Sequence, residues 1–114
     1  MVRWADLRGN APTWLYDFRL IHPDTGLSAH CAELPFAWDC LDAPQVRSSS
    51  HPDPPQSLAD AMHGAWVEFV CNHRAPWPAW SAQGVAMVFD TESETRPAFR
   101  LERRLAHALD ENAG

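Results

Sequence analysis

Lysine is missing from this chain. All nine cations are arginine, against 15 acidic residues, and the formal net charge over 114 residues is −6. A negative chain without a basic cluster excludes a nucleic-acid backbone as partner. Long apolar runs are also missing. The longest strong one, Val85 to Phe89, falls far short of the roughly 18 residues needed to span a bilayer, so no membrane partner is expected. Cysteine is scarce and odd in number (Cys31, Cys40, Cys71), which excludes a purely internal disulfide framework and points to free thiols in a reducing compartment. Met1 to Asp6 has no apolar core of a signal peptide, which favours the cytoplasm. No Cys-x-x-Cys or His-x-x-x-His pair occurs, so no metal is expected.

Tryptophan and proline are plentiful instead. Six Trp and five Phe carry too much aromatic surface to stay in water, so the chain is not a disordered tail. The length fits one small domain. A chain this short covers only about 60–68% of its unfolded surface. Either it is unusually compact, or its aromatic faces pack on something else.

Residues 3–9 read as the end of a helix stopped by Gly9-Asn10. Thr13 to Leu20 alternates with period two and is rich in aromatics, a strand pattern, and His22 to Gly26 supplies turn residues. Residues 27–43 show no period and read as a structured loop with short helical turns. Residues 44–56 are Pro- and Ser-rich and read as a mobile surface connection. From Ser57 to about Asn72, Leu58, Ala61, Met62, Ala65, Trp66, Phe69 and Val70 fall on one helical stripe, with Ser57 as the cap. His73-Arg74 suits the negative end of that helix. Trp80 to Asp90 reads as a hairpin whose second strand, Val85 to Asp90, is firmer; Thr91 to Thr95 is polar. Pro97 to Leu109 reads as an amphipathic helix with Leu101, Leu105, Ala108 and Leu109 on one face. His63 falls on the polar side of its helix and reads as solvated, and His73 and His107 as dipole partners. The fold class is α/β, with too few strands for a complete sheet.

His30 is the residue with the most promising chemistry. It sits in an irregular loop shortly after a strand, with Glu33 three residues on and Leu34-Pro35-Phe36 following. A loop at the carboxyl end of a strand aims an imidazole into a crevice while the sheet holds it still, and histidine exchanges a proton near neutral pH. Ser28 lies two residues before His30, so a Ser–His dyad is a conceivable alternative, although no Gly-x-Ser-x-Gly elbow surrounds it.

In order, the chain runs from strand Thr13–Leu20 through His30-Cys-Ala-Glu33-Leu34-Pro35-Phe36 and helix Leu58–Val70. Trp77-Pro78-Ala79-Trp80 and Ala86-Met87-Val88-Phe89-Asp90 follow. This series resembles the carboxyl-terminal part of type-B carboxylesterases, the α/β-hydrolases that include cholinesterases and nitrobenzyl esterases. The resemblance covers about residues 3–109 and implies one partial α/β-hydrolase domain over residues 1–114. It implies that His30 is the general base of a Ser–acid–His triad, that Glu33 supports it, and that Phe36 and Trp38 line a substrate pocket. The substrate would be a small carboxylic ester, with no cofactor. Triad order places Ser and acid before His, so both would come from a missing amino-terminal part of the hydrolase, and this chain alone would be an inactive fragment. The true amino terminus would then lie elsewhere, which leaves the compartment open. The pattern departs from the family where Gly26 falls one place early before His30 and where Trp38-Asp39 replaces an expected Phe-Gly. The other reading is a small non-enzymatic interaction module that offers its aromatic face to a partner.

Overall fold

Two helical layers enclose a small mixed sheet in the computed structural model, which describes all 114 residues. In chain order the elements are α1 (Val2–Leu7), β1 (Tyr16–Phe18), α2 (Leu34–Ala37), α3 (Val46–Ser49), α4 (Gln56–Asn72), β2 (Val85–Phe89), β3 (Glu94–Pro97) and α5 (Arg100–Asn112). Strand order is β1-β2-β3, with β1 parallel and β3 antiparallel to the central β2.

Alternation along the strands sends neighbouring side chains to opposite faces. Leu15, Ala86 and Val88 point to one face and join Val2, Ala5, Ala98 and Phe99, where α1 and the start of α5 cover the sheet. Leu20 and Phe89 point to the other and join Phe36, Leu58, Ala59, Met62 and Ala65, where α2 and α4 cover it. Each cluster is small, and only 19 of the 114 residues are buried. The radius of gyration is 15.7 Å, with extents of 49 × 35 × 21 Å. A compact globule of this length would have a radius near 13 Å. The molecule is a slab cut to the thickness of one sheet and its helices.

β1 is shorter than the Thr13–Leu20 pattern predicts, but its flanks remain extended and bonded. Trp80 N–H donates to Thr13 O (2.7 Å), Met87 N–H to Leu15 O (3.2 Å) and Arg19 N–H to Phe89 O (2.8 Å). The expected hairpin across Trp80 to Asp90 is replaced by another. β2 turns back on β3 through Asp90 to Ser93, where Asp90 N–H donates to Ser93 Oγ and Thr91 N–H to Asp90 Oδ1. The polar stretch Thr91 to Thr95 thus runs into a strand at Glu94. Pro97 closes that strand instead of opening the last helix, which starts at Arg100. Proline fits there because Val85–Pro97 is a non-hydrogen-bonded pair of the ladder, next to the bond from Ala98 N–H to Gly84 O (3.0 Å).

α4 begins at Gln56 after Pro55, and Ser57 makes no capping bond. The Gln56 amide instead ties the helix to Asp39 (2.8 Å) and Asp60 (3.0 Å). The buried positions are Leu58, Ala59, Met62 and Ala65; Trp66, Phe69 and Val70 stay at least two-fifths exposed. At the other end His73 acts through its backbone. It adopts the left-handed conformation (φ 56°) and donates its N–H to Phe69 O (2.9 Å), which closes the last turn. Arg74 reaches back to Glu68 at 2.8 Å. Its hydrogen bond, with a second from Asn72, holds the Glu68 carboxyl below its ordinary range. The connection at 44–56 carries the one-turn α3, whose Val46 is buried together with Ser50.

Gly84 precedes β2 with φ +68°, and a Cβ there would collide with the Arg103 guanidinium. Moving that guanidinium aside gives up two contacts. It stacks on Trp80 (5.7 Å to the ring centroid) and donates to Ala82 O at 2.7 Å. Gly84→Ala is therefore expected to destabilise the fold by about 1–3 kcal/mol, from backbone strain plus the displaced arginine. A urea melt that shows a loss below about 0.5 kcal/mol would contradict this account.

A candidate active-site loop and the groove behind it

After β1 the chain makes two successive turns. In the first, His22 N–H donates to Leu27 O (3.0 Å) and Gly26 N–H to His22 O (2.9 Å), with Gly26 at φ +67°. In the second, Ala32 N–H donates to Ala29 O (3.1 Å), so His30 and Cys31 are the two central residues. Cys31 has φ 63°, the sign a type II turn requires at its second central position. His30 thus projects from the apex of a tight turn at the carboxyl end of a parallel strand. Ligands of open α/β sheets bind at that end.

The His30 side chain is exposed, and no hydrogen bond engages either ring nitrogen. Three other histidines are engaged. His22 Nδ1 accepts from Asp24 N–H (3.2 Å), His51 Nδ1 accepts from Asp53 N–H (3.1 Å), and His63 Nδ1 pairs with Ala37 O (2.9 Å). His63, expected in solvent, instead fastens α4 to the end of α2. His107 is exposed on α5. Ser28 makes no hydrogen bond to His30, so the structure assembles no dyad.

The other residues singled out from the sequence part company. Phe36 is fully buried, 5.5 Å from the Phe18 ring in the core on the α4 side. Trp38 is 72% exposed and walls a groove of about 490 Å³ between α2 and α4. Glu33 lies in the same groove with Tyr16, His63, Trp66 and Val70, and no hydrogen bond joins it to His30. Burial pushes the Tyr16 hydroxyl above its ordinary pKa, and the Glu33 charge beside it adds to the rise. Tyr16 and His63 are groove residues that sequence reasoning missed. The available signal was helical spacing, since His63, Trp66, Val67 and Val70 recur along one face of α4.

A second, smaller hollow of about 100 Å³ adjoins the first over β1, walled by Trp14, Tyr16, Trp66, Phe69, Trp77 and Phe89. The Trp77 indole Nε1–H is buried with no acceptor. Such an orphan costs about 1–3 kcal/mol. No group of three or more His, Cys, Asp or Glu side chains converges, and no helix is long and apolar enough to cross a membrane.

Compared with solved structures, the chain superposes on the carboxylesterase EST55 of Geobacillus stearothermophilus. In the crystal structure at pH 6.2 the TM-score is 0.73 with 28% identity, covering 93% of this chain and 24% of the esterase. The fold resembles part of that type-B carboxylesterase. The same esterase at pH 6.8 matches this esterase-like segment with a TM-score of 0.70 and 28% identity, over 91% and 24% of the two chains. PNB esterase shares the fold at 24% identity, with a TM-score of 0.61 over 83% of the segment and 21% of that enzyme. No family model matches the segment. It spans about a quarter of the length of these esterases and holds no Gly-x-Ser-x-Gly elbow. The three-stranded sheet is accordingly an incomplete part of an esterase α/β fold.

Proposed function

We propose that this segment supplies the general base of a serine carboxylesterase, with His30 as that base and the nucleophilic serine and triad acid outside these 114 residues. The observation that carries the reading is the His30 imidazole, exposed and unengaged at both nitrogens, at the carboxyl end of β1 in an esterase-like segment. One nitrogen takes the serine proton as the serine oxygen adds to the ester carbonyl. The other donates to the acid that orients the ring. His30 then passes the proton to the departing alcohol, leaving an acyl-serine ester. In the second half it takes a proton from water as the hydroxide adds to the acyl carbon, and returns that proton to serine as the carboxylic acid leaves. Glu33, three residues on, supports the loop through its charge. Trp38 lines the path of the ester's apolar part.

The segment alone is expected to hydrolyse nitrophenyl butyrate no faster than buffer. Mixed with EST55 from which the matching quarter has been deleted, it is expected to restore turnover. Turnover by the segment alone, lost in both Ser28→Ala and His30→Ala, would overturn the reading in favour of a self-contained dyad.

A further inference from the structure

A bonded run of turns links His30 to α2. Ala32 N–H donates to Ala29 O (3.1 Å), Leu34 N–H to Cys31 O (3.2 Å), and the N–H groups of Phe36 and Ala37 both to Glu33 O (3.0 Å). These turns overlap, so the His30 apex and α2 form one continuous unit. α2 then ends in a Schellman motif. Asp39 is left-handed (φ 51°), Cys40 N–H donates to Pro35 O (2.9 Å) and Asp39 N–H to Phe36 O (3.3 Å). Trp38 N–H donates to Leu34 O (3.0 Å). Of the four carbonyls of α2, only Ala37 O lacks a local donor.

α4 supplies that donor. A carbonyl only accepts, so the partly buried His63 carries a proton on Nδ1 and donates it to Ala37 O at 2.9 Å, across 26 residues of chain. Earlier on α4 the Gln56 amide donates to Asp39 Oδ1 at 2.8 Å. Asp39 fills a position where glycine was expected, and glycine reaches the left-handed region without steric penalty. Here the tie to Gln56 helps to hold a residue with a Cβ in that conformation. The two bonds grip the chain on either side of Trp38. We propose that His63 is a positioning residue for His30. Its bond to Ala37 O fixes how α2 is seated on α4, and the overlapping turns carry that seating to the imidazole. Placement of a reacting group matters steeply, since an error of about 1 Å costs about 10²-fold in rate. This role rests on the esterase reading of His30, whereas the bonds between α2 and α4 stand without it.

The test uses the ¹⁵N-labelled 114-residue chain, alone and with EST55 lacking its matching quarter. In the free chain, His63→Leu is expected to lower the amide order parameters of His30 and Cys31 from about 0.85 to below about 0.6, while those of β2 and β3 hold. His63→Asn, whose amide nitrogen stands in for Nδ1, is expected to keep the parent values. Gln56→Ala, at an exposed side chain, is expected to loosen the same two amides to a lesser degree, and serves if His63→Leu does not fold. In the reconstituted esterase, His63→Leu is expected to lower kcat about 10–100-fold, and His63→Asn to stay within about threefold of the parent. Unchanged order parameters at His30 in both His63→Leu and Gln56→Ala would overturn the proposal. So would equal losses of kcat in His63→Leu and His63→Asn, because the bond would then not be what matters. A loosened turn with full turnover overturns it as well where His30→Gln is inactive. Where His30→Gln also keeps full turnover, the assignment of His30 fails and the seating of its turn by His63 stands.

Discussion

Replacing His30 with glutamine in the reconstituted esterase is expected to lower kcat by about 10⁶-fold with little change in KM. Glutamine keeps the bulk and a donor but cannot carry a proton between serine, alcohol and water. Triad members act as a unit, so loss of the base alone costs nearly the whole covalent pathway, and the residue left comes from binding and oxyanion stabilisation. The effect is expected on kcat because the proposed role has the imidazole act on the reacting atoms and not on the ground-state ester. Single-turnover kinetics with nitrophenyl butyrate measures it. A variant within tenfold of the parent would show that the proton is carried by another group. The fold of the chain should be untouched, since the His30 side chain is exposed and bonds to nothing in it.

Phe36→Ala has the largest expected effect on stability. Phe36 is fully buried between the sheet and α4, with its ring 5.5 Å from Phe18. Truncation to alanine removes its transfer free energy and leaves a cavity, at a cost of about 3–5 kcal/mol. Small domains hold only about 5–15 kcal/mol in all, and this one divides a small core between two faces. The variant is expected to lose its cooperative urea transition, or to shift it far toward low denaturant. Trp38→Ala, at a side chain 72% exposed, should change stability by no more than about 0.5 kcal/mol. Equal losses at the two positions would refute the burial assigned to each.

That contrast shows where sequence reasoning reaches. Phe36 and Trp38 stand two residues apart in one motif, and the resemblance offered both as pocket lining. Their opposite fates depend on how the single turn of α2 is rolled against α4, which no local pattern reveals. α4 itself was legible, because its apolar positions repeat at helical spacing over many residues. The loop around His30 was legible as a loop, because His22 to Gly26 is turn chemistry and the following stretch has no period. β3 was not legible. Glu94-Thr95-Arg96-Pro97 has little β-propensity, and proline suits a first helical turn as well as an edge strand. Its strand identity comes from pairing with β2. The groove that gathers Tyr16, Glu33 and His63 comes from three separate parts of the chain and has no sequence signature of its own.

The register between β1 and β2 has a kinetic consequence. β2 and β3 meet through a four-residue turn, and α4 closes by local bonds, so both form early. Phe18 and Phe89 come together only after the whole of α2, α3 and α4 has been laid down between them. Such long-range parallel pairing is slow, because loop closure is unfavourable before any contact rewards it. β1, the strand that leads into the His30 turn, is thus expected to be the last part of the sheet to lock and the first to open. Substitutions in β1 are expected to change the unfolding rate far more than the folding rate, as a stopped-flow comparison with β2 variants would reveal. The His30 turn, carried on such a strand, stays unplaced until the rest of its scaffold is complete.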